Sequence, residues 1–121
     1  MPAGPRAYLL DRFRSDAAAL RQRADALHAA ARTSTAIPGP DAETSSRMAA
    51  ACDDVVAMIE AIPDGSDPAA VLSSIAALSP LLDARAQREA VSPAVRAVYA
   101  GAATRIREVQ QMEATARNLL A

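Results

Sequence analysis

Tryptophan and lysine are absent from this chain of 121 residues, and histidine, cysteine and phenylalanine occur once each. The absence of lysine removes Schiff-base chemistry, a lysine general base and the phosphate-binding lysine of a P-loop. A single cysteine, Cys52, permits no disulfide within the chain. A single histidine, His28, cannot supply the paired histidines of a di-metal bundle, and the glutamates at 43, 60, 89, 108 and 113 form no Glu-x-x-His pattern. No metal, cofactor or catalytic set is therefore expected. The aromatics are Tyr8, Phe13 and Tyr99, too few to stack nucleobases. The net charge of −1 gives no global field to draw in nucleic acid. The longest uncharged run, residues 68–82, contains three serines and Pro80 and is too short to span a bilayer. The start, MPAGPRAYLLDRF, has no apolar core of a signal peptide. These absences lead us to expect a soluble cytoplasmic protein that binds neither nucleic acid nor membrane.

What is present is helix-forming material. Alanine supplies 32 residues, and all 13 basic residues are arginine. Alanine is the best helix former and a poor core filler, so helices packed through it approach closely. Ala, Arg and Pro share GC-rich codons, which points to a bacterial or phage genome. The hydrophobic fraction of 51% excludes a disordered tail, and the length fits one domain over residues 1–121.

Apolar residues recur at spacings of three and four along four stretches. The first runs from about Pro5 to Thr33, through Leu10, Phe13, Ala17, Leu20, Ala24, Leu27 and Ala31. The second runs from about Asp41 to Ala61, through Met48, Cys52, Val55, Ile59 and Ile62, and Pro63 stops it. The third opens at Asp67-Pro68, an N-cap followed by proline at the first helical position. It carries Val71, Ile75, Leu78 and Leu82, and Pro80 either kinks it or lets Ser79 cap a new helix to about Ala90. The fourth opens at Ser92-Pro93 and runs to about Leu119, with Val95, Tyr99, Ala102, Ile106, Val109, Ala116 and Leu120 on its seam. No stretch alternates apolar and polar residues as a strand does. The pattern predicts an all-α, up-and-down antiparallel bundle of about four helices, the third kinked or split at Pro80.

Charge is distributed unevenly. Residues 1–34 carry six arginines against three aspartates, whereas residues 41–62 carry one arginine against five acids. Complementary faces within one bundle account for this. Arg14, Arg21 and His28 recur every seven residues on the first helix and form a candidate anion-binding stripe. Glu113 falls on the apolar seam of the last helix. A buried charge needs a partner, and Arg6, at the start of the first helix, is the expected one. Glu113 is otherwise a candidate acid in a ligand cavity.

On the second helix the apolar arc covers roughly half the circumference, wider than the stripe of about 100° that a core-facing helix needs. Ala49, Val56 and Met58 lie toward its edges, and at least one of Val56 and Met58 is expected to point away from the core. The arc therefore suggests a protein–protein interaction module, an adaptor, chaperone or assembly subunit, meeting a protein partner or a second copy of itself as a homodimer. The alternative is a small helical enzyme or sensor that binds an anionic ligand through arginine.

Overall fold

The computed structural model describes residues 4–33, 39–89 and 92–120. Five helices follow one another: α1 (Pro5–Arg32), α2 (Ala42–Glu60), α3 (Pro68–Ala76), α4 (Leu78–Arg88) and α5 (Pro93–Leu120). Among the described residues there is no strand. The starts follow from local chemistry. Asp41 accepts a hydrogen bond from the Thr44 amide at 2.7 Å, Asp67 from Ala69 at 3.1 Å, and the Ser92 hydroxyl from Val95 at 3.2 Å. Each fills one of the amide donors that a helix start leaves without a partner. Proline at the first position of α1, α3 and α5 costs nothing there, because that amide has no helical acceptor.

The third predicted helix is split, and the break falls at Ala77 rather than at Ser79. A proline ring in a helix collides with the carbonyl four residues earlier. For Pro80 that carbonyl belongs to Ala76, so the chain turns one residue later and resumes. Ser79 does not cap α4; its hydroxyl donates to the Ala76 carbonyl at 2.9 Å. The second half closes at Arg88, and Ala90, its expected end, lies outside the described residues. Taken together, residues 68–88 are long and apolar enough to cross a membrane by length and composition. In the bundle they are divided at Ala77, and Leu72, Ile75, Leu82 and Ala86 enter the core.

Side-chain pairs set the directions. Arg14 pairs with Glu60 and Arg21 with Asp53, so α1 and α2 are antiparallel. Arg107 pairs with Asp83, and the Arg96 guanidinium donates to the Glu89 carbonyl, so α4 and α5 are antiparallel too. The bundle is up-and-down, with α3 and α4 acting as one broken helix. α1 packs chiefly on α2 and α4 chiefly on α5, while α2 and α5 meet across the short diagonal. Their contact buries Val55, Ile59, Ala102, Ala103 and Ile106. Small side chains at 102 and 103 let the two axes approach closely.

Helix length explains where the core ends. The 28 residues of α5 reach roughly 42 Å, and the 19 of α2 only about 28 Å. Beyond Val109 the end of α5 projects largely uncovered: Met112, Leu119 and Leu120 are 69%, 81% and 88% exposed. Ala116 and Leu120, expected in the core from their spacing, are therefore on the surface.

Candidate functional site

A polar cluster joins α2, α4 and α5. Arg85 Nη2 lies 2.8 Å from Asp54 Oδ2, and Tyr99 Oη donates to the same oxygen at 2.9 Å. The Arg85 guanidinium also lies 5.4 Å from the centre of the Tyr99 ring. Burial, and then the hydrogen bond to Asp54, raise the Tyr99 phenol above the usual tyrosine range. These residues line an open cleft of about 540 Å³ together with Arg47, Glu89 and Ser92. Its polar atoms are engaged in holding helices. Arg47 pairs with Glu43 at 2.6 Å, Ser92 caps α5, and Glu89 accepts from the Ser92 amide at 3.1 Å. Among the described residues no group of three His, Cys, Asp or Glu could hold a metal.

The stripe of Arg14, Arg21 and His28 does not converge on a cleft. Arg14 lies 3.3 Å from Glu60, and Arg21 makes a two-pronged pair with Asp53 that holds the Asp53 carboxyl below its ordinary range. His28 is exposed farther along α1. The arginines close the basic first helix onto the acidic second, which is the complementarity the charge distribution implied.

Glu113 does not meet Arg6. It is half-buried, beside Arg117, Asp67 and Leu72 in a shallow depression at the start of α3. Arg6 instead donates to the carbonyls of Ile62 at 3.0 Å, just past α2, and of Glu60 at 3.5 Å, its last residue. The expected buried pair is thus replaced by a side-chain cap. The free carbonyls of a helix end attract a guanidinium without need of a carboxylate.

The α2 residues expected at an interface are covered within the chain. Ala49 is fully buried, Val56 is 7% exposed, and Met58 is half-buried against the core. The arc of α2 is wide because this helix has neighbours on both flanks, α1 on one side and α5 with α4 on the other.

A second concavity, of about 380 Å³, is mainly apolar. Its walls are α1, with Phe13 and Leu20, and α5, with Val98 and Gly101, and Met48 and Cys52 form the floor. Burial raises the Cys52 thiol to about 11, with the Asp16 and Asp53 charges adding to the effect. The thiol thus behaves as a small hydrophobe rather than a nucleophile. Asp16 and Arg105 stand on the rim. Gly101 sits in the middle of α5, where glycine costs about 1 kcal/mol relative to alanine. A Cβ built there meets nothing within 4 Å. No described residue of the chain accounts for this glycine.

Sequence reasoning missed both the Asp54–Arg85–Tyr99 cluster and this groove. The cluster draws one residue from each of three helices and leaves no local spacing. The groove had one legible trace, a glycine inside an otherwise strong helical pattern. Comparison of the chain with protein-family models, with curated proteins and with solved structures finds no match.

Proposed function

We propose that this bundle is a protein–protein interaction module, acting in the cytoplasm as an adaptor, chaperone or assembly subunit. It performs no chemistry of its own, and it meets its partner through the α1/α5 side rather than through α2. The observation that carries this reading is the exposed apolar side chains at the end of α5. Met112 and Leu119 are largely exposed and continue the wall of an apolar groove. Large apolar side chains exposed in line with an apolar groove support a contact surface there. The engagement of Arg14, Arg21, Arg47 and Arg85 with carboxylates supports the same reading, since it ties up the guanidiniums that an anion would need.

A photoreactive amino acid placed at position 112 in cells tests this. A discrete cross-linked adduct is expected there, and none from the same residue at Gln87, an exposed position on α4. Absence of any adduct at 112, or equal labelling at both positions, overturns the reading.

A further inference from the structure

At about 100° per residue, Ala94, Gly101, Arg105, Glu108, Met112 and Leu119 fall within one narrow arc of α5. The arc lies about a third of a turn from the face that carries the buried Tyr99 and Ile106. It therefore faces the groove along the first half of the helix and open solvent along the second. Arg105 and Glu108 sit at its middle, and neither joins an ion pair with a described residue of the chain.

We propose that this face is self-complementary and that its occupant is a second copy of the chain, paired antiparallel along α5 about a two-fold axis near residues 106 and 107. This pairing rests on the interaction reading above and names its partner. Charge fixes the register: Arg105 of each copy lies against Glu108 of the other, twice over by symmetry. No further adjustment is then available, and the remaining levels match in size. Met112 of one copy falls on Gly101 of the other, and Leu119 falls on Ala94. A large side chain thus meets a small one at each level, as antiparallel helices require for close approach.

The register also accounts for the two features the single chain leaves unexplained. The mid-helix glycine, with empty space where a Cβ would stand, is where Met112 of the second copy is received. The exposed end of α5 is the element that fills the groove between α1 and α5 of the other copy. A two-fold axis satisfies both grooves and both ends at once, so the assembly closes as a dimer and does not propagate.

Sedimentation equilibrium of the full chain over a concentration series tests the proposal. Wild type is expected to show a monomer–dimer equilibrium. Arg105→Glu and Glu108→Arg, each alone, place like charges at both symmetric contacts and are expected to weaken association by about tenfold or more. An equimolar mixture of the two variants restores opposite charges at both contacts, so heterodimer is expected at close to wild-type strength. Gly101→Leu is expected to abolish association while leaving the far-UV helical spectrum unchanged, because the monomer has room for the side chain. A strictly monomeric wild type, single reversals that do not weaken the dimer, or a mixture that fails to recover overturns the two-fold pairing. The cross-link at position 112 separates that failure from failure of the interaction reading. An adduct of twice the chain mass supports both, an adduct of any other mass retains the interaction reading and overturns self-pairing, and no adduct overturns both.

Discussion

Arg6 Nε donates to the carbonyl oxygen of Ile62 at 3.0 Å, joining the start of α1 to the end of α2 across 56 residues of sequence. The bond satisfies a carbonyl just past the helix end, and the same guanidinium also reaches the Glu60 carbonyl that the helix leaves open. Arg6→Ala is expected to cost about 1 kcal/mol in chemical denaturation. Glu113→Ala, at a half-buried position without an ion pair to any described residue, is expected to change stability by no more than about 0.5 kcal/mol. The double variant should be additive within error. A coupling energy well above that error would mean that the two side chains interact after all.

Tyr99 and Asp54 form a second long-range polar contact, with Arg85 as the third member. Tyr99→Phe removes one donor and leaves Asp54 paired with Arg85, at an expected cost of about 1 kcal/mol. Asp54→Ala strands both partners, and a loss of about 1–3 kcal/mol is expected. The Tyr99 phenol is raised, so the folded state favours its protonated form. Its contribution to stability is fully present below the ordinary tyrosine pKa and is lost as pH rises through the raised value. Absorbance titration of a Tyr8→Phe variant reports Tyr99 alone and should show ionisation above the ordinary tyrosine range. Ionisation at or below that range would contradict the contact.

Cys52 reports on the floor of the groove. Its thiol, raised to about 11 by burial, should react slowly with a water-soluble thiol reagent in the native protein and quickly after denaturation. The raised value favours the thiol in the folded state, so its share of stability holds at neutral pH and is lost as pH climbs toward about 11. Rapid labelling under native conditions would mean that the floor is open.

Much of the fold is legible in the sequence because its cues are local. Asp41, Asp67 and Ser92 each stand where an N-cap belongs, and the proline after Asp67 and Ser92 reinforces the reading. The seam through Leu10, Phe13, Ala17 and Ala24 is buried as its spacing implies. What the sequence hides depends on neighbours. A wheel gives the width of the apolar arc on α2 but not the number of helices packed around it, so Ala49 and Val56 look like edge positions on the wheel and are core in the bundle. The same limit applies to α5 in reverse. Ala116 and Leu120 keep the seam spacing, but whether anything lies opposite them depends on α2 ending at Glu60. Seam position alone pairs Glu113 with Arg6, although the carbonyls at the end of α2 attract Arg6 more directly than a carboxylate on another helix.

If the exposed face of α5 is the contact surface, amide hydrogen exchange along residues 110–120 must depend on protein concentration. In an isolated monomer the last turns of a helix fray, and their amides exchange with little protection. Pairing along α5 predicts that protection of this segment rises with concentration, while the amides around Val55 and Ile59 in α2, already buried, stay constant. Exchange over 110–120 that is fast and independent of concentration would contradict pairing along this face.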